Sequence, residues 1–133
     1  MSFVDHLRLS VRDVAASQAF YAAWLRLLGF APVAREDDGA AWGKPDPGGR
    51  MQWLILTPAT REAEHDLLAP GLHHVAFAAE SRAVVDAVGG VLTRLGAEIL
   101  QGPREYDHEP GRYAVFFLDP DGIKLEVIHV TPQ

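Results

Sequence analysis

Between Phe3 and Ser10 apolar and polar positions alternate, with Phe3, Leu7 and Leu9 on one side and His6, Arg8 and Ser10 on the other, which is the period of a half-buried strand. The period then lengthens. Phe20, Trp24, Leu27 and Leu28 recur at i, i+4, i+7 and i+8, so the spacing predicts a helix opened by Asp13 or Ser10 as N-cap and stopped by Gly29. Short strands are expected over Pro32–Glu36, Ala40–Gly43 and Met51–Leu56, and the polar run Pro58–Gly71 reads as a linker. A second succession follows: a strand over Leu72–Ala78, then a helix capped by Ser81 that buries Val84, Val85, Val88, Val91, Leu92 and Leu95. A Pro- and Gly-rich polar loop over Gly102–Gly111 comes next, and strands over Arg112–Leu118 and Ile123–His129 close the unit. Gly89 and Gly90 inside the second helix cost it roughly 2 kcal/mol relative to alanines, which predicts a loose turn there.

The two successions are repeats. Val4-Asp5-His6-Leu7-Arg8-Leu9 resembles Leu72-His73-His74-Val75-Ala76-Phe77 at a separation of 68 residues, Leu28-Gly29 matches Leu95-Gly96 at 67, and Asp46-Pro47-Gly48-Gly49 matches Asp119-Pro120-Asp121-Gly122 at 73. Three matches in the same order, with offsets drifting as loop insertions would make them, define an α+β chain of two tandem βαβββ modules. Module one covers about 1–57, the linker about 58–71 and module two about 72–131, within one domain of 133 residues.

Composition narrows the chemistry. With 48% hydrophobic residues the chain can bury a core, and with no cysteine it has neither disulfides, nor a thiolate metal site, nor a thiol nucleophile. A formal net charge of −6 and a pI near 5.4 argue against a nucleic-acid partner, which requires a clustered basic surface. No stretch approaches a membrane span and the start lacks the pattern of a secretory leader, so a cytoplasmic location and a small-molecule substrate are expected.

Pleat parity then gathers candidate ligands. His74, Ala76 and Ala78 share one face of their strand, and Lys124, Glu126 and Ile128 share one face of the last. Leu7, Leu9, Val75, Phe77, Leu125 and Val127 would lie under the helices, leaving His6, His74 and Glu126 on the concave side with small Ala76 and Ala78 between them. Two imidazoles and one carboxylate suit a divalent transition metal with open positions.

With these residues in place, the chain resembles the vicinal-oxygen-chelate superfamily of glyoxalases, bleomycin resistance proteins and dioxygenases over nearly its whole length. The run Arg112-Tyr-Ala-Val-Phe-Phe-Leu-Asp-Pro-Asp-Gly-Ile-Lys-Leu-Glu126 looks like the second-module ending of glyoxalase-like members. The resemblance implies curved mixed sheets forming a barrel-like cavity, metal ligands at His6, His74 and Glu126, a divalent iron, manganese, nickel or zinc ion, and a homodimer. Trp53 stands where the first-module carboxylate of the glyoxalase I enzymes would be, so the ligand set is more similar to that of fosfomycin-modifying thiol transferases and extradiol dioxygenases. The implied function is a metal-dependent enzyme of lyase, isomerase or dioxygenase type acting on a small oxygen-chelating substrate. The alternative is non-enzymatic sequestration of a small molecule, as in bleomycin resistance. Around the ligands, Tyr113 and His108 are candidate bases. Arg8 and Tyr106 are candidate substrate contacts, and Trp42 and Trp53 are candidate aromatic walls, with a core position the other reading of Trp53. His73 falls on the opposite face, and His65 and His129 read as surface residues.

Overall fold

The computed structural model describes residues 4–35 and 37–132, so Phe3 and Glu36, expected at strand ends, lie outside the described residues. The chain divides into two compact units, Met1–Ala63 and Glu64–Gln133, the division falling inside the expected linker.

In the first unit β1 (His6–Val11) leads into α1 (Val14–Leu25), which continues as a 3-10 turn over Arg26–Leu28. Asp13 is the N-cap, its side chain accepting from the Ala16 amide at 3.1 Å, and Gly29 ends the run at φ 93°, a left-handed conformation that glycine adopts without penalty. Strands β2 (Ala31–Val33), β3 (Ala40–Pro45) and β4 (Met51–Pro58) complete a sheet of order β1-β4-β3-β2, in which only the β1–β4 pair is parallel. The helix buries more than the expected stripe: Tyr21 and Leu25 join Phe20 and Trp24, while Leu27 is only half-buried. Phe20 meets Tyr21 edge-on at 5.3 Å, and Tyr21 reaches Trp42 of β3 at 6.3 Å, which fixes helix to sheet by aromatic packing.

The second unit repeats this plan with β5 (Val75–Ala78), α2 (Arg82–Leu95), β6 (Ile99–Tyr106), β7 (Glu109–Leu118) and β8 (Lys124–Val130), in the sheet order β5-β8-β7-β6. Among the described residues both sheets are open at two edges, and neither closes into a barrel. Ser81 caps α2 by accepting from the Val84 amide at 3.2 Å. Two expectations are corrected here. Leu95, the last helical residue, is 48% exposed rather than buried. Most of the segment from Gly102 to Gly111 is not a loop: β6 and β7 run through it as a hairpin, turning at Asp107 and His108. Gly102 makes this possible, because it takes φ 82° and a Cβ there would lie 2.3 Å from the Ala114 carbonyl oxygen, so only glycine fits the irregular stretch of the ladder. One glycine of the α2 pair is placed there by packing. A Cβ on Gly89 would meet the Pro103 ring at 2.7 Å, so this glycine lets the helix sit down on β6.

The repeated turns are built alike. Asp46 accepts from the amides of Gly48 and Arg50 at 2.9 and 3.0 Å, and Asp119 from those of Asp121 and Ile123 at 2.8 and 2.9 Å. Trp53 and Glu126 each stand seven residues beyond their turn aspartate, and His6 and His74 each stand seven before their helix cap. The parallel pairs nevertheless differ. His6 faces Trp53 across β1–β4, whereas Glu126 faces Ala76 across β5–β8, two residues beyond His74. The second pair is thus slid by two residues, and because side chains alternate with period two, the slide keeps every residue on its own face.

Candidate functional site

Glu126 sits on β8 between Leu125 and Val127, which are fully buried, and points to the other side of the sheet. It is itself only 8% exposed. A carboxylate this far from water needs a partner, and its Oε1 has one in the half-buried His74, whose Nε2 lies 3.3 Å away. The other ring nitrogen of His74 is 2.7 Å from Nδ1 of His73, so one of these two imidazoles donates to the other and the orientation of His74 is held from both sides. Phe116, directly opposite Glu126 on β7, joins the surroundings: its ring lies 5.9 Å from that of His74, 5.8 Å from that of Tyr106, and 5.0 Å beneath the ammonium of Lys124.

Glu126, Phe116, Tyr106 and Lys124 line a cavity of about 250 Å³ whose walls also include Leu100, Ile128 and His108, the last from the β6–β7 turn. Tyr106 and His108 are therefore brought to the same space as Glu126. The Tyr106 hydroxyl is shielded from solvent and has no hydrogen-bond partner among the described residues. Tyr113 does not point there. Its hydroxyl donates to Asp86 of α2 at 2.5 Å, with the Arg82 guanidinium 4.9 Å over its ring, and the bond to Asp86, followed by burial, raises its pKa above the ordinary tyrosine value. The expectation that this hydroxyl faces the cavity is corrected. The signal was available, since Val115 and Phe117 share its parity, are fully buried, and Phe117 pairs with Leu125.

In the first unit a cavity of about 270 Å³ is lined by His6, Val33, Arg35, Ala41, Trp53 and Ile55. His6 is exposed, and its Nδ1 lies 2.8 Å from Asp5. Asp5 also accepts from Arg50 at 3.0 Å, and these bonds, that of His6 foremost, hold its carboxyl below the ordinary aspartate value. The indole of Trp53 lies across Gly43, where a Cβ would be 2.7 Å from the ring. Trp42 is corrected to the core. It pairs with Leu54 rather than with Trp53, is 3% exposed, and packs against Tyr21 on the helix side. Arg8 is exposed on the His6 face but is not among the cavity-lining residues. Its charge is felt by Asp37, whose carboxyl is held far below its ordinary value chiefly by the Arg35 side chain.

His129 is half-buried rather than free on the surface, with Nδ1 3.0 Å from the Ala79 carbonyl oxygen. Leu100 and Gln101 escaped the sequence reading because β6 did, and Phe116 because its apolar side chain reads as core. Among the described residues no group of three or more His, Asp or Glu side chains is gathered so that it could hold a metal ion. His6 belongs to the first unit, and the His74–Glu126 pair to the second.

Residues 3–127 match the Glyoxalase/Bleomycin resistance protein/Dioxygenase superfamily, and the chain belongs to this family. It is 34% identical over 129 residues to the uncharacterized protein YqjT of Bacillus subtilis (strain 168), covering 94% of this chain and 97% of that protein. Among solved structures it is similar to a Bacillus halodurans protein, with a TM-score of 0.80 at 27% identity over 96% of this chain and 95% of that one. It is also similar to a glyoxylase/bleomycin resistance protein/dioxygenase domain from Frankia sp. EAN1pec, with a TM-score of 0.71 at 27% identity over 98% and 99% of the two chains. Among the described residues no helix is long and apolar enough to cross a membrane.

Proposed function

We propose that this protein is a metal-dependent enzyme of glyoxalase type, a lyase, isomerase or dioxygenase, acting on a small oxygen-bearing organic substrate. The observation that carries the reading is the His74–Glu126 pair. A buried carboxylate with a single imidazole partner at 3.3 Å, the long end of hydrogen-bond range, is a donor set suited to a divalent transition ion. His74 and Glu126 would supply two ligands, and His6, on the outward face of the first strand, the third. When bound, the ion supplies Lewis acidity toward substrate oxygens. The chain's own residues do the rest. His73 fixes the ring of His74 through Nδ1, in the manner of outer partners that orient metal-ligating histidines. His108 offers an exposed imidazole at the cavity for proton transfer, a role for which Tyr113 is badly placed. Homodimer assembly and a cytoplasmic location are part of the same proposal.

A second reading, sequestration of a small molecule without catalysis, is favoured by the apolar wall of Val33, Trp53 and Ile55 in the first unit and by the lack of a three-group metal cluster among the described residues. Calorimetric titration with nickel, manganese, zinc and iron(II) separates the two. We expect wild type to take up one ion, and His6→Ala, His74→Ala and Glu126→Gln each to weaken uptake at least about tenfold. No uptake by wild type, or unchanged uptake by all three variants, would favour sequestration.

A further inference from the structure

The cavity of the second unit carries a pattern of charge that the metal reading does not use. Arg112 and Glu109 neutralise each other at 2.6 Å, and Glu126 has a hydrogen-bond partner in His74. Lys124 is left over. It is half-buried, it opens β8 two residues before Glu126 on the same face, and its ammonium rests over the Phe116 ring. Among the described residues it has no carboxylate within ion-pair distance. The ring attracts the cation but satisfies none of its three donors. The Tyr106 ring meets the same Phe116 ring edge-on, and its hydroxyl is shielded and unpartnered among the described residues. Two donors that find no acceptor among the described residues therefore adjoin one aromatic ring in a cavity whose remaining walls include Leu100 and Ile128.

We propose that this cavity selects a small organic carboxylate, its two oxygens accepting from Lys124 Nζ and the Tyr106 hydroxyl and its apolar body lying against Phe116, Leu100 and Ile128. The proposal rests on the reading of this cavity as the substrate site and adds the class of substrate. A cationic ligand would be repelled by Lys124, and a neutral one would leave its ammonium without a charged acceptor from the ligand. A carboxylate matches both donors and forms the stronger, charge-assisted bond. The volume, about 250 Å³ against about 300–1,000 Å³ for typical small-molecule sites, confines the ligand to roughly the size of a substituted benzoate.

Benzoate and its neutral isostere benzamide are the probes, titrated calorimetrically into the protein as purified and again after EDTA treatment. Wild type should prefer benzoate by about tenfold or more in both states, the factor expected of one charge-assisted bond. Lys124→Met should reduce that preference to less than about threefold, Lys124→Arg should keep it, and Tyr106→Phe should weaken benzoate more than benzamide. Melting curves confirm that each variant is folded. If Lys124→Met does not fold, the comparison of Lys124→Arg and Tyr106→Phe with wild type carries the test. Equal affinity for the two probes, no benzoate binding below about 10 mM, or a preference that survives Lys124→Met overturns the proposal. A preference that disappears with EDTA also overturns it, because the anion would then be bound by the metal. A preference that persists in protein taking up no metal upholds the carboxylate site while the metalloenzyme reading fails.

Discussion

His6 stands directly opposite Trp53 in the parallel pair of β1 and β4, while the residue at the place of Trp53 in the second unit, seven beyond the turn aspartate, is Glu126. The first unit thus pairs an imidazole with an indole, and the second sets an imidazole against a carboxylate. The indole has room to lie flat because Gly43, across β3–β4, has no side chain.

Trp53→Glu should therefore turn the first-unit pair into a histidine–carboxylate pair and raise affinity for zinc or nickel by about tenfold or more, as an added charged ligand does. Trp53→Ala should leave metal uptake unchanged while weakening an aromatic ligand seated in the first-unit cavity. Calorimetry with metal and with ligand reads both effects. A glutamate that adds nothing to metal uptake would mean that the residue opposite His6 does not reach the ion.

The two glycines of α2 should respond in opposite directions. At Gly90 an added Cβ would find only the far end of the Arg94 side chain at 3.6 Å, so Gly90→Ala should stabilise by about 1 kcal/mol through helix propensity. At Gly89 the Cβ would press into Pro103 at 2.7 Å, and overpacking of about 1–3 kcal/mol should outweigh the same gain. Urea unfolding of the two variants measures the difference, and a stabilised Gly89→Ala would show that the helix can lift from β6 at little cost.

Tyr113→Phe should test the bond to Asp86. The loss is that of one exposed hydrogen bond, about 0.5 kcal/mol, the low end for such bonds, and ligand binding in the second-unit cavity should be unaffected. The pH dependence has a definite sign. The folded tyrosine has a raised pKa, so its contribution is complete below the unfolded value near 10 and is lost as pH rises through the folded value. Wild type and Tyr113→Phe should differ in urea stability at pH 8 and converge in strong alkali. A gap that stays constant would assign the stabilisation to packing alone.

Much of this architecture is legible in the sequence because alternation and helical period are dictated by burial. Leu7 and Leu9 turn to the helix and His6 and Arg8 away from it, as read. Asp13, Ser81 and Gly29 mark helix ends through side-chain acceptors and a left-handed backbone, both local effects. What was not legible is long-range. The strand Ile99–Tyr106 hides behind Gly102-Pro103, residues that ordinarily break a ladder and here form its irregular stretch. Trp42 and Trp53 look interchangeable as aromatics, and only the pairing of Trp42 with Leu54 assigns them to opposite faces. The carboxylate–imidazole contact of Glu126 and His74 was foreseen as a shared face, but not the two-residue offset at which it is made.

That offset bears on how a duplicated chain diversifies. Between adjacent strands the smallest slip that leaves both the interior and the outward row intact is two residues, or about 6.6 Å of travel. Duplicate copies can therefore change the spacing of opposed groups in discrete steps, without turning any residue from one face of the sheet to the other. A histidine inherited at the same chain position then acts at a different height in each copy, and ancestral symmetry in the sequence does not guarantee symmetry between the two clefts.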